Sequence, residues 1–251
     1  DNTFLQSRRT DNHDESTLRI KLDGASAALN WQLAAGMIEV ANGYDAFSLD
    51  NNRQTRSDQP GMDEQSSGYL SARFEINDLD WAQLVAAAGY ASSDVRYGYD
   101  EDWTYAGFHP YGYSSTDQYN RGINTATVDL RWLSKDSVED TLNWLVGLYF
   151  LDRDVDLERD YTWLEERFSS QFALQRRAIY GELGLPINGL WTLSIGARAE
   201  IHEADYEDNA GVRFSPEDDL FGSRLKLERR FADQQLAYLS FSQGYKSGGF
   251  N

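Results

Sequence analysis

Leu236-Ala-Tyr-Leu-Ser-Phe-Ser-Gln-Gly-Tyr-Lys-Ser-Gly-Gly-Phe-Asn251 is the stretch on which the reading of the fold turns. Leu236 to Ser242 alternates apolar with small or polar residues, the period of a half-buried strand. Gly244 to Asn251 sets Gly244, Gly248 and Gly249 around Tyr245, Lys246 and Phe250. Glycine there implies unusual backbone angles or close chain approach. Which face of this strand is the apolar one stays open, because Leu236 and Tyr238 compete with Leu239 and Phe241.

Outward from this stretch the same alternation recurs. In Trp191–His202, Trp191, Leu193, Ile195, Ala197, Ala199 and Ile201 fall on one side and Thr192, Ser194, Gly196, Arg198, Glu200 and His202 on the other. A strand separates those two sets and a helix would scatter them. Further strands are expected at Ser16–Leu22, Ala27–Leu49 (bulged near Gly36 or Gly43), Gly68–Ile76, Trp81–Ala91, Arg121–Leu133, Thr141–Leu157, Ser170–Leu185 and Leu220–Arg230. Asp23-Gly24 and Asn188-Gly189 read as hairpin turns. Short turns near 24, 78, 137, 188 and 233 alternate with long loops near 58, 105, 163 and 211. That is the layout of an outer-membrane barrel, with short turns at one end and long loops at the other. Arginines and glutamates on the inward faces suit a wet lumen, since a sandwich interior would make buried charges costly.

No run approaches the roughly 18–20 apolar residues of a membrane helix. A barrel strand offers lipid only every second residue, so a mean hydropathy of −0.62 is compatible with one. A net charge of −18 argues against a nucleic-acid partner. With no cysteine there is no disulfide or thiolate metal site. The 15 tyrosines and 7 tryptophans suit interfacial girdles, and equally a sugar-binding sandwich. No signal peptide opens the sequence, which reads as a mature chain or a fragment.

The run Gly244-Tyr245-Lys246-Ser247-Gly248-Gly249-Phe250-Asn251 resembles the late barrel strand and following loop of TonB-dependent outer-membrane receptors. Asn42-Gly43-Tyr44-Asp45-Ala46-Phe47-Ser48-Leu49-Asp50-Asn51, Ser57-Asp58-Gln59-Pro60-Gly61, Tyr99-Asp100-Glu101-Asp102-Trp103, Gly147-Leu148-Tyr149-Phe150 and Tyr180-Gly181-Glu182-Leu183 are similar to earlier stretches of the same family. The resemblance implies an all-β, antiparallel up-and-down transmembrane β-barrel, present here in part: about ten strands of a barrel of about 22. Residues 1–251 then belong to the barrel domain, with the plug domain, the TonB box and the C-terminal strands outside the chain. It further implies a site in the outer membrane of a Gram-negative bacterium, contact with its lipid, and TonB-dependent uptake of a ferric siderophore complex or another large solute. The TonB complex would act through parts of the receptor outside this chain.

No catalytic set is visible, and no cofactor site. His13, His109 and His202 lie far apart with no metal-binding spacing. Asp100, Glu101 and Asp102 offer oxygens to calcium but lack the spaced pattern of an EF-hand loop. Trp103, Tyr105, His109, Tyr111 and Tyr113 are the candidate ligand contacts: aromatic rings in a glycine- and serine-rich loop give rigid amphipathic area. The plainer reading is that they pack the loop onto its neighbours. Gly244, Tyr245, Lys246, Gly248, Gly249 and Asn251 are the family-motif residues. The competing fold is a soluble, secreted β-sandwich, a carbohydrate-binding module or glycosidase. It requires Trp144, Leu148, Leu193 and Ile195 to meet other apolar residues in a closed core.

Overall fold

The computed structural model describes residues 2–5, 10–135, 142–232 and 235–248. Its strands are β1 (Glu15–Ala25), β2 (Leu29–Tyr44), β3 (Gly61–Ile76), β4 (Gln83–Asp100), β5 (Thr116–Leu133), β6 (Asn143–Tyr161), β7 (Phe168–Asn188), β8 (Trp191–Asp208), the two-residue β9 (Arg213–Phe214), β10 (Glu217–Ala232) and β11 (Gln235–Gln243). Each strand pairs antiparallel with the next; β9 alone hangs on β8, which pairs onward with β10. The result is one up-and-down sheet in a single layer, with β1 and β11 at its edges among the described residues.

The register carries the alternation from strand to strand. Ile20 faces Ala35, Ala35 faces Leu70, and Leu70 faces Tyr90. Across the far half, Leu148 faces Ile179, Ile179 faces Ala199, and Ala199 faces Phe221. This apolar face stays open: Leu70 is 63% exposed, Ile179 55% and Ile195 43%. No second layer covers Trp144, Leu148, Leu193 or Ile195 among the described residues, so the closed core of a sandwich is absent. Lipid is the solvent such a face requires. The opposite face carries Arg73 with Glu75, Arg131 with Asp129, Arg198 with Glu200 and Lys226 with Glu228, each pair bridged. The open question at β11 is settled by its register: Leu239 faces Leu227 and Phe241 faces Leu225, so these two extend the apolar face.

Tryptophans mark the turn end of the band. Trp31, Trp81, Trp132, Trp144 and Trp191 lie on or beside the short connections, and the rings of Trp81 and Trp144 stack at 6.1 Å. Arg229 sits over Trp191 and Phe231 at the same level. Indoles and a snorkelling guanidinium prefer the bilayer–water interface. At the other end the outward positions turn polar along a common line: Glu39, Ser66, Ser92, Asn124, Asp152 and Glu203.

Several sequence expectations need correction. Strands do not stop where the apolar residues stop: β3 begins at Gly61 rather than 68, β4 runs on to Asp100, β6 to Tyr161 and β8 to Asp208. Interstrand hydrogen bonding continues above the band in water, with the outward face polar and the inward one carrying Val155, Leu157, Phe172 and Leu174 among its polar residues. The loops near 163 and 211 are therefore short, leaving 45–60 and 101–115 as the long ones. β2 ends at Tyr44 and holds its register past Gly36 and Gly43 without a bulge. The strand β1 includes Asp23-Gly24, and the turn follows at 26–28, closed by Ser26 against Leu29. β7 runs through Pro186 to Asn188, with a register irregularity there. Asn188 builds the hairpin by accepting from the Leu190 and Trp191 amides. Thr141, the expected start of β6, lies outside the described residues.

Three strand glycines have a packing reason. A Cβ on Gly36 would meet the ring of Tyr69 at 2.3 Å, one on Gly147 the ring of Tyr180 at 2.2 Å, and one on Gly24 that of Trp31 at 2.5 Å. In each pair an aromatic ring lies flat over the bare backbone of the neighbouring strand.

Candidate functional site

The extensions above the band bring a cluster of rings and charges together on the inward face. Antiparallel register sets Tyr99 opposite Asp117, Tyr97 opposite Tyr119, and Tyr119 opposite Arg159. Arg159 donates through Nε to Asp117 Oδ1 at 2.8 Å and through its terminal nitrogen to Oδ2 at 2.7 Å. The Tyr119 and Tyr99 hydroxyls also donate to Asp117 Oδ2, at 3.0 and 3.3 Å. The guanidinium lies over the rings of Tyr119 and Tyr161. Tyr97 touches Tyr44, Tyr99 and Tyr119, and Phe47 reaches Tyr44, Tyr99 and Trp103.

Asp117 is 2% exposed. Burial alone would raise its carboxyl, but the hydrogen bonds from Arg159 and Tyr119 outweigh it and hold the group below the usual aspartate range. Burial pushes the phenols of Tyr97, Tyr99 and Tyr119 up, so all three are neutral donors at any physiological pH. Arg159 stays charged, its donors directed at Asp117. The cluster offers ring faces and phenol hydroxyls, with no activated nucleophile or poised base. That is the chemistry of binding.

The loop 101–115 roofs this cluster, and the expected contact residues take different places in it. Trp103, at a φ of 59°, turns down to stack on Phe47 at 4.9 Å. Tyr105 stacks on Phe4 and meets Phe108, which lies under Arg56. His109 stacks on Tyr113 at 4.9 Å, and Tyr113 meets Trp163 edge-on. Tyr111 is 91% exposed. Packing therefore accounts for Trp103, Tyr105, His109 and Tyr113, and Tyr111 alone projects freely.

The motif at the end of the chain lies elsewhere. The Tyr245 hydroxyl accepts from Arg198 Nε at 2.8 Å and donates to Glu200 at 3.1 Å, while its ring stands 3.1 Å from a Cβ built on Gly222. Lys246 is exposed, and the Gly248 amide donates to Asp218. Neither Gly244 nor Gly248 has a positive φ or crowding around it, contrary to the expectation of special geometry. Gly249 and Asn251 lie outside the described residues.

The three consecutive acids do not converge as calcium ligands. Glu101 accepts from the Ser115 hydroxyl, Asp102 accepts from Thr104, and Asp100 is buried. Among the described residues no grouping of three or more His, Cys, Asp or Glu is arranged to hold a metal. Sequence reasoning missed Asp117, Arg159, Tyr97 and Tyr99; Tyr119 stands out in the sequence as an aromatic at the end of the loop that follows Trp103, but without its partners. The signal available was Tyr97-Gly-Tyr99 and Asp117-Gln-Tyr119 at strand spacing.

Comparison with curated protein sequences gives no match. Among solved structures, the chain is similar to the ferric yersiniabactin uptake receptor FyuA from Yersinia pestis, with a TM-score of 0.79 and 15% identity over 100% of this chain and 40% of that one. The ferric citrate transporter FecA in its unliganded form gives 0.75 and 12% over 93% and 36%. The copper transporter OprC gives 0.64 and 13% over 91% and 36%. The chain thus spans well under half of each of these structures, and at such identities the likeness is one of fold. A family model for the TonB dependent receptor-like β-barrel matches residues 3–251. The chain accordingly belongs to the TonB-dependent receptor β-barrel family of the Gram-negative outer membrane, a family of receptors and transporters rather than enzymes.

Proposed function

We propose that this chain forms part of the wall and vestibule of a receptor that takes up a ferric siderophore complex across the outer membrane with energy delivered by TonB. In this reading the remaining strands and a plug belong to the parent receptor, and TonB engages that plug. The observation that carries the proposal is the inward cluster of Tyr97, Tyr99, Tyr119, Asp117 and Arg159 above the lipid band. It holds a set of aromatic ring faces in fixed positions where a solute arriving from outside meets the barrel. FyuA is a ferric yersiniabactin uptake receptor and FecA a ferric citrate transporter, which supports iron as the cargo class.

The test is uptake of radiolabelled ferric siderophores by cells with the parent gene deleted, and with it restored, with and without TonB. Uptake that needs both the gene and TonB supports the reading. Equal uptake in deleted and restored cells across the siderophore classes tested would show that the cargo is something else.

A further inference from the structure

Asp100 ends β4 at the point where the loop 101–115 begins. The residue is 4% exposed. Its Oδ1 accepts from the Asp102 amide at 3.2 Å, and its Oδ2 is buried with no hydrogen-bond partner. The carboxyl of Asp102 and the hydroxyl of Ser57 stand beside it, with the charge of Asp58 close by. Glu101 is turned away onto Ser115. The cations of the region are engaged elsewhere: Arg159 with Asp117, Arg56 with Asp50. A buried carboxylate facing another carboxylate without a cation is strongly disfavoured, and a proton on one of them supplies the missing donor.

Around the pair, neighbouring residues fasten the two loops together. The Asp58 amide donates to the Thr104 carbonyl at 3.0 Å, and the Ala106 amide donates to Asp58 Oδ2 at 2.9 Å. Gln59 donates to the Ser114 hydroxyl at 2.7 Å. Asp102, in turn, accepts from Thr104 and the Ser115 amide.

We infer that Asp100 and Asp102 form a proton-sharing acid pair that latches loop 101–115 over strap 57–59, so that closure of this outer loop is strongest in acid and weakens towards neutral pH. Burial first, and then the bond to Asp102, push the Asp100 carboxyl up to about 7. In an opened loop the same carboxyl would be solvated and titrate near the ordinary aspartate value. Between those two values the closed form holds a proton that the open form has lost. Closure therefore weakens as pH rises through that window and levels off above it.

The experiment is hydrogen–deuterium exchange on the full-length receptor in micelles from pH 5 to 8, corrected for intrinsic exchange rates. Protection of the amides in 101–115 is expected to fall by up to about tenfold per pH unit between 5 and 7 and then level. Asp100→Asn keeps a neutral, uncharged partner for Asp102. In it the loop should stay protected and lose that pH dependence, with β5–β8 amides unchanged as the check on folding. Flat protection in the parent protein would overturn the latch. So would an unchanged pH profile in the variant, or protection at pH 8 that calcium restores and a chelator removes, which would make the pair a cation site. None of these readouts depends on which solute the receptor carries.

Discussion

Arg159 on β6 grips Asp117 on β5 through two parallel hydrogen bonds of 2.8 and 2.7 Å, its guanidinium lying over the rings of Tyr119 and Tyr161. The carboxylate is almost fully buried and the guanidinium only partly so. Removing the cation leaves a buried charge with two phenols as its remaining partners. Arg159→Ala should therefore loosen the loop end of β4–β6, at a cost of about 3 kcal/mol, the low end for a broken buried pair because Arg159 is part-exposed. Thermal unfolding of the purified receptor would register the change. Because the Asp117 carboxyl is held low, the pair's contribution is present above the ordinary aspartate range and is lost as pH falls through the folded value. Unfolding temperatures at pH 5 and pH 8 should accordingly show the same gap between variant and parent.

Glycines roofed by rings should respond differently from open ones. Gly147→Val drives a side chain into Tyr180 and is expected to destabilise by about 1–3 kcal/mol. Gly189→Ala, with open space around it, should be close to neutral. Heat-dependent mobility of the folded and unfolded bands on a gel would separate the two.

The lipid-facing assignment predicts a depth profile. Ile195→Arg, in the middle of the band, should cost about 2–4 kcal/mol, and Ser92→Arg, on its polar border, about 0–1. Urea titration of the receptor folded into vesicles measures both. Equal costs at the two positions would contradict the position of the band.

Tyr111 stands clear of the fold. Tyr111→Ala should leave the unfolding temperature unchanged, so any loss of ferric-siderophore binding assigns the ring to ligand capture. Tyr119→Phe removes a single donor to Asp117 while keeping the ring, at a cost of about 1 kcal/mol. Binding that survives Tyr119→Phe but not Tyr119→Ala would identify the ring face as the recognition element, and calorimetry on the purified receptor reads all three.

What the sequence reveals here follows the lipid. Where lipid bathes one face, every second residue must be apolar, and Trp191–Ile201 or Leu70–Ile76 announce themselves. Past the line of Glu39, Ser92 and Asp152 the outward face meets water and turns polar, so the apolar period of the lipid band breaks off although the backbone ladder goes on. Residues such as Glu203, Asp205 and Glu207 then look like loop. The candidate site lies in those extensions, which is why Tyr97, Tyr99, Asp117 and Arg159 were missed while the exposed-looking aromatic run 103–113 drew notice. The pairing of Arg159 with Asp117 bridges forty-two positions of sequence and depends on register, which no local pattern encodes. The glycines at 244 and 248 do not have the special geometry expected of them, whereas Gly36, beside which a bulge is expected, and Gly147 instead make room for the rings of Tyr69 and Tyr180.

The indoles are gathered on one rim: Trp31, Trp81, Trp132, Trp144 and Trp191 by the turns, with only Trp103 and Trp163 at the loops. This part of the wall is thus moored at its periplasmic waterline and left free at the outer one, so a thickening or thinning of the bilayer would be taken up on the outward-facing side, where the strands have length to spare.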